Sequence, residues 1–167
     1  AINQAGLSNA MERAQAAITR GDTSGFRSSS QIATAMRLHH LINHLLCQGI
    51  GASRHFLSRM EEEEEKSKSS REFLRDVRVR GLSSRLKDMV EIHSKVGAVR
   101  RLVRERVRRD MESRVIVFAN YRDTVEALEG ALSDLEGIKA IQFIGQSSRS
   151  GSGGLTAKQQ ISRLSEF

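Results

Sequence analysis

Residues 113–145 read SRVIVFANYRDTVEALEGALSDLEGIKAIQFIG, and this stretch decides the fold that the sequence predicts. It opens with 115–118, an apolar run rich in β-branched residues, which is typical of a strand buried on both faces of a parallel sheet. A second apolar run covers 138–144, and apolar residues at helical spacing predict a helix over 124–135 between the two. Two such strands joined by one helix form a right-handed parallel βαβ unit, so the predicted fold class is α/β.

The composition favours a helical core and a polyanionic partner. Hydrophobic residues make up 38% of the 167 residues but aromatic residues only 4%, and proline is absent. The formal net charge is +7, which is typical of proteins that bind nucleic acid but also of many that do not. A single cysteine excludes an internal disulfide. No signal peptide or membrane-length apolar run is present, so we expect a soluble, intracellular protein with no membrane partner.

The first part of the chain is expected to form a bundle of helices. The clearest apolar period lies in a helix expected from Ser29 or Ser30 to Gln48, and Gly49 follows as a helix-ending residue. The positions that we expect to face the core of that helix are Ala35, Leu38, Leu41, Ile42, Leu45 and Leu46. The remaining helices are expected over 2–20, 50–60, 71–79, 82–92 and 93–110.

Three potential metal ligands lie on the opposite face of that helix. His40, His44 and Cys47 follow one another at i, i+4 and i+7, a spacing that can hold a metal ion. No fourth ligand is obvious, since His55 or His93 would have to be recruited from elsewhere. We therefore expect no metal site, and Cys47 has no acidic partner that would mark it as a nucleophile.

The helix expected over 93–110 is strongly basic on the face opposite its valines. Helices of this kind often line a nucleic-acid channel, although a solvated face paired with Glu91, Glu105 and Asp110 is an equally good interpretation. The candidate phosphate-binding residues on this face are Lys95, Arg100, Arg101 and Arg104, with Arg108 and Arg109 beyond them.

Several motifs together resemble one family of helicases. The segments are RVIVFANYRD at 114–123, FIGQSS at 143–148, GLT at 154–156 and QQI at 159–161. In this order they resemble the second RecA-like domain of superfamily 2 DNA helicases, most closely the Hef/FANCM group. The resemblance extends to QGI at 48–50 and, more loosely, to HSK at 93–95, where the family usually has proline and this chain has Ser94.

The resemblance implies a domain organisation and an activity. Residues 1–92 would form the helical insert of such a helicase, a candidate for binding forked DNA, and 93–167 the N-terminal half of its second RecA-like domain. The parent protein would be an ATP-dependent helicase or translocase that remodels forked or branched DNA in replication-fork repair, using ATP and Mg²⁺. The sequence has no G-x-x-x-x-G-K-[ST] loop, so this chain, a piece of that parent, would contain no catalytic residue and bind neither cofactor. Its location would be cytoplasmic in an archaeon and nuclear in a eukaryote.

The same resemblance places DNA along the carboxyl ends of the two predicted strands. Hydroxyl, amide and guanidinium groups there can donate to phosphate oxygens. The residues concerned are Tyr121, Arg122, Thr124, Gln146, Ser147 and Ser148. The alternatives are a surface ion pair of Arg122 with Asp123 or Glu126, packing of Tyr121 against the first helix of the predicted sheet, and a flexible loop after Gly145.

Two other functions remain open at this point. A helical module that docks a protein partner would explain 1–92 with the basic surface incidental, and an RNA helicase of the same superfamily would carry a similar first strand. The steps Tyr121-Arg122-Asp123 and Gly145-Gln146 favour the DNA-repair branch by resemblance.

Overall fold

The computed structural model describes residues 3–145, 155–165 and 167, and its regular structure there is helical throughout. Eight α-helices and one short π-helical segment follow one another within these residues. They are α1 (Gln4–Thr19), α2 (Ser24–Asn43), the π-helical segment (His44–Gln48), α3 (Ile50–Glu62), α4 (Lys68–Arg75), α5 (Val77–Asp88), α6 (Ser94–Arg109), α7 (Arg122–Ser133) and α8 (Ala157–Ser165).

The predicted parallel βαβ sheet is wrong for the residues that the structure describes, and with it the α/β fold class. The helix between the two apolar runs is present as α7, but 115–118 and 138–144 contain no strand. Ile116 is 65% exposed and Phe118 is 91% exposed, so the first run is not buried on both faces. A β-strand is stabilised by hydrogen bonds to a neighbouring strand. An apolar, β-branched composition indicates a tendency to be buried but does not show that such a neighbour is present.

The main hydrophobic core lies among α2, α3, α4 and α5. Leu41 of α2 and Leu57 of α3 are almost completely buried in it, and Leu86 brings α5 onto the same cluster. The other buried members are Ile50, Phe56, Met60, Phe73 and Val79. Apolar residues at helical spacing on α3 and α5 therefore stabilise the bundle by burial, as the sequence pattern predicts.

A smaller core joins α6 to α7. Val103 of α6 packs with Leu132 and with Leu135, which lies just after α7. Val99, Val107, Ile138 and Ala140 cover this cluster in part. The valine face of α6 is thus buried against α7, and the arginine face is left toward solvent.

The core-facing side of α2 differs from the predicted one. Leu38, Ile42 and Leu46 are exposed, Leu46 by 71%, whereas His44 is 1% exposed. The apolar period of a single helix gives a broad stripe, and the neighbours decide which edge of it is covered. Here α3 and the start of α7 cover the edge that carries Leu41 and His44.

Side chains cap several helices at the ends that the sequence allows. Asn3 accepts from the Gly6 N–H at 2.8 Å at the start of α1, and Ser67 accepts from the Ser70 N–H at 3.1 Å at the start of α4. The predicted capping box of α8 is present, because Gln159 accepts from the Thr156 N–H and the Thr156 hydroxyl accepts from the Gln159 N–H. Among the described residues, no helix combines the length and apolarity that crossing a bilayer requires.

Candidate functional site

The start of α7 docks onto α3 through a buried ion pair. The Asp123 side chain is almost fully buried, and Arg59 of α3 donates to both of its carboxylate oxygens, from Nε at 3.0 Å and from NH2 at 2.6 Å. This two-pronged geometry is the strong form of an Arg–carboxylate contact. One turn further along α7, Glu126 faces His55 of α3, with Oε2 3.3 Å from Nδ1.

Two histidines stand beside this ion pair. His44 Nε2 lies 2.9 Å from His40 Nε2 and 3.7 Å from Asp123 Oδ2. The rings of Phe56 and Tyr121 surround the pair, with centroid separations of 5.1–5.5 Å to the histidine rings. The junction between the π-helical segment and α7 is therefore an aromatic cluster with a carboxylate at one side. We call the set formed by His40, His44, Phe56, Arg59, Tyr121 and Asp123 the α3–α7 junction.

Burial sets the charge state of the histidines. Desolvation, followed by the neighbouring His40, lowers the pKa of His44 to about 4, and desolvation also lowers the pKa of His40. Both imidazoles are therefore neutral near pH 7 and offer lone pairs. His44 Nδ1 is buried and makes no hydrogen bond within the part of the chain that the structure describes. The His44 ring is held by packing against Phe56 and Tyr121 and by the contacts of its Nε2 with His40 and Asp123.

Three of the predicted nucleic-acid-binding residues, Tyr121, Arg122 and Thr124, lie in or directly beside the α3–α7 junction. Tyr121 packs on both histidine rings, and the buried Thr124 hydroxyl donates to Gln48 Oε1 at 3.0 Å. Arg122 is half-buried and already has an interaction partner. Tyr121 thus packs on side chains of α2 and the π-helical segment, not on the first helix of a sheet, and contact of these three residues with nucleic acid stays a prediction.

Glu91 ties the bundle to α6. Its carboxylate accepts from the N–H groups of Ile50 at 3.2 Å and Gly51 at 2.8 Å, which begin α3, and from the N–H of His93 at 2.9 Å. Gly49 adopts φ +108°, and a Cβ there would approach this carboxylate to 2.8 Å, so only glycine fits. The capping acid of α3 thus comes from more than forty residues further along the chain.

The four basic residues of α6 that the sequence singled out first, Lys95, Arg100, Arg101 and Arg104, divide into two groups. Lys95 donates to the Cys47 carbonyl at 3.3 Å, and Arg100 donates to the Ala131 carbonyl at the end of α7 and lies 3.6 Å from Asp134. Arg101 and Arg104 are exposed and have no ion-pair partner among the described residues. Only the second group leaves its charge free for an external anion.

A groove of about 320 Å³ runs beside these arginines, between α6 and the end of α7. Arg104 and Arg108 line it on the α6 side, and Asp134 and Glu136 line it on the other. The remaining predicted residues, Gln146, Ser147 and Ser148, lie outside the described residues.

The sequence pattern did not single out Arg59, Asp123 or Glu91 for the roles that they have. Each forms its contact across 40 to 64 positions of the chain, between Glu91 and the start of α3 or between Arg59 and Asp123. Charge alone did not mark Arg59, because α3 also carries Arg54, His55, Glu61 and Glu62. Its partner cannot be read from spacing, because the contact depends on how α3 and α7 pack.

Comparison with known proteins gives consistent matches. The family model described as "Putative ATP-dependent RNA helicase, helical bundle" matches residues 2–93. The chain is 34% identical over 134 residues to the "Putative ATP-dependent RNA helicase MJ1505" of Methanocaldococcus jannaschii, a match that covers 80% of this chain and 17% of that protein.

A solved structure extends the likeness to almost the whole chain. The crystal structure of the Pyrococcus furiosus Hef helicase domain matches with a TM-score of 0.63 and 28% identity, and covers 99% of this chain and 34% of that one. The chain therefore spans a minor part of both relatives. It belongs to this helicase helical-bundle family and is of the Hef type within helicase superfamily 2.

Proposed function

We propose that this chain is part of an ATP-dependent helicase or translocase that binds and remodels forked or branched DNA, as in the repair of replication forks. The observation that carries the proposal is the likeness to the Hef helicase domain over 99% of the chain. In this proposal residues 1–92 are the helical insert and 93–167 begin the second RecA-like domain. In this proposal ATP and Mg²⁺ are used by the parent protein. The G-x-x-x-x-G-K-[ST] loop that would bind ATP is not in the sequence of this chain.

The exposed arginines of α6 are the best-supported contact with nucleic acid. Arg101, Arg104 and Arg108 follow at i, i+3 and i+7, so they form one stripe along the helix. The valine face opposite is buried against α7, which holds the stripe outward in a fixed orientation. Guanidinium groups arranged in this way suit phosphate oxygens along a strand and carry little base specificity.

The other predicted residues have different support. Lys95 and Arg100 already donate hydrogen bonds to backbone carbonyl groups, so we assign them mainly a structural role. Their contact with phosphate is a secondary part of the proposal. Tyr121, Arg122 and Thr124, with Gln146, Ser147 and Ser148, remain proposed contacts by resemblance to the helicase motifs.

An RNA substrate is the second candidate. It is favoured by the names of the matching family and of the Methanocaldococcus jannaschii relative, both of which specify RNA. A protein-docking role is a third candidate, favoured by the exposed Leu38 and Ile42 on α2 and the exposed Leu46 on the π-helical segment.

The test is fluorescence anisotropy of the chain with forked, duplex and single-stranded DNA and with RNA of the same sequences, across a salt series. We expect tightest binding to the fork. In an Arg101→Ala/Arg104→Ala variant, the salt dependence should weaken by about two counterions, because two phosphate contacts are lost.

The matched control is Arg13→Ala/Arg27→Ala, which removes the same charge from exposed positions on α1 and α2. Equal weakening by both variants would show general attraction rather than a site on α6. Tighter binding to RNA than to any DNA would mean that RNA, not forked DNA, is the substrate. No binding to either nucleic acid at low salt would favour the protein-docking role.

A further inference from the structure

Three ligand atoms of the types that bind transition metals converge at the α3–α7 junction. One ring nitrogen each of His40 and His44 and one carboxylate oxygen of Asp123 all lie within 4.8 Å of one another. His40 belongs to α2, His44 to the π-helical segment and Asp123 to α7, so folding brings together residues that are 79 positions apart. We propose that His40, His44 and Asp123 form a binding site for a divalent transition-metal ion, Zn²⁺ by ligand chemistry, that joins the helical bundle to α7. The inference is independent of the proposed helicase activity.

The distances suit such an ion. A tetrahedral Zn²⁺ holds ligands at about 2.0–2.1 Å, which places the ligand atoms about 3.3 Å from one another. The observed separations of 2.9 Å between the histidine nitrogens and 3.7 Å from His44 to Asp123 lie on either side of that value. The third separation, between His40 and Asp123, is within 4.8 Å, so side-chain rotations would have to bring these two groups closer to bind one ion.

The donor types suit it too. A divalent transition-metal ion binds an imidazole through a nitrogen lone pair and a carboxylate through its negatively charged oxygen. Without a metal ion, two Nε2 atoms at 2.9 Å can share only one proton. A divalent ion would take that proton's place and accept both lone pairs, with Asp123 supplying a negative charge.

Arg59 has the position of a supporting residue. It donates to both oxygens of Asp123, which fixes the carboxylate plane and leaves lone pairs on Oδ2 toward His44. Carboxylates that bind metals are commonly held in this way by a second hydrogen-bonding group. The half-exposed His40 and Tyr121 lie on the solvent side, so an ion and a fourth ligand such as water can enter there.

The structure also explains why α2 alone did not indicate the site. Cys47, the third ligand considered on spacing, is exposed, and its carbonyl is bound by Lys95. The third ligand comes from α7, which no spacing within α2 can show. The expectation of no metal site was thus based on an incomplete ligand set.

The test is a calorimetric titration of ZnCl₂ into the full chain, purified without a histidine tag and treated with a chelator, near neutral pH. We expect one ion per chain, with affinity at least about tenfold weaker in His44→Leu and in Asp123→Asn. Leucine is chosen at position 44 because the side chain there is buried. His55→Gln and Cys47→Ser are the matched controls and should bind as the unaltered chain does.

A second measurement uses Co²⁺ in place of Zn²⁺. We expect visible absorption of a four-coordinate ion without the near-ultraviolet thiolate band that coordination by Cys47 would produce. Circular dichroism checks that each variant is folded, and His40→Gln, at a half-exposed position, replaces His44→Leu if that variant does not fold. Absence of saturable binding, unchanged affinity in Asp123→Asn, or a thiolate band would each overturn the proposal.

Discussion

At the scale of single residues, the ion pair of Arg59 and Asp123 has two unequal partners. The Asp123 side chain is 3% exposed and the Arg59 side chain 42%, so only the arginine reaches water. A buried charge that loses its partner stays uncompensated, whereas a half-exposed one can turn to solvent. The stability that the pair contributes therefore depends on which residue is removed.

We predict that Arg59→Ala lowers the free energy of unfolding by about 3 kcal/mol, because it leaves the Asp123 carboxylate buried without a partner. Asp123→Ala should cost about 1–2 kcal/mol, because Arg59 can then be hydrated. Urea unfolding in the presence of a chelator measures both values. A larger loss in Asp123→Ala would show that the carboxylate has a further role in the metal-free protein.

At the scale of elements, α3 begins without a capping side chain of its own. Gly49 precedes it, and Glu91 supplies the acceptor for the first N–H groups. A carboxylate at a helix N-terminus is favoured by hydrogen bonding and by the helix dipole. Because the same carboxylate accepts from His93, it also sets where α6 begins relative to α3.

We predict that Glu91→Gln destabilises the chain by about 1–2 kcal/mol, because a neutral amide keeps only one oxygen for these donors and loses the charge. The exposed Glu112→Gln is the matched control, and its effect should be within about 0.5 kcal/mol of zero. Thermal unfolding of the two variants side by side provides the comparison. Equal effects would mean that Glu91 acts only through net charge.

At the scale of the whole molecule, the described residues comprise packed helices and one apolar run, 115–118, that is largely exposed. The main core and the α6–α7 cluster bury their helices, while 115–118 lies exposed beside them. No backbone hydrogen bond joins 115–118 to 138–144 within the described residues. The local stability of the two kinds of segment should therefore differ strongly.

We predict that amide hydrogens of 115–118 exchange with solvent far faster than those of α3, because they have no hydrogen-bonded ladder with any other described segment. Hydrogen–deuterium exchange read by mass spectrometry measures both segments in one experiment. Protection of 115–118 equal to that of α3 would show that the run pairs as a strand in solution.

The sequence alone determined most of the helices and the family. Apolar spacing predicted α3, α6 and α7 to within a few residues, and Thr156 with Gln159 predicted the start of α8, because these features depend on neighbours within one or two turns of the chain. The motifs from 114 to 161 indicated the Hef-type helicases, which the comparisons confirm.

Only the tertiary structure decided the rest. It determined which edge of α2 is buried, that 115–118 pairs with no strand among the residues that the structure describes, and that His40, His44, Arg59 and Asp123 meet. These outcomes depend on how separate helices pack, and the free energy of packing is set by contacts between residues far apart in the chain. Local patterns contain no information about such contacts, so a sequence read by itself can name the ligands on one helix but not the residue that completes the site.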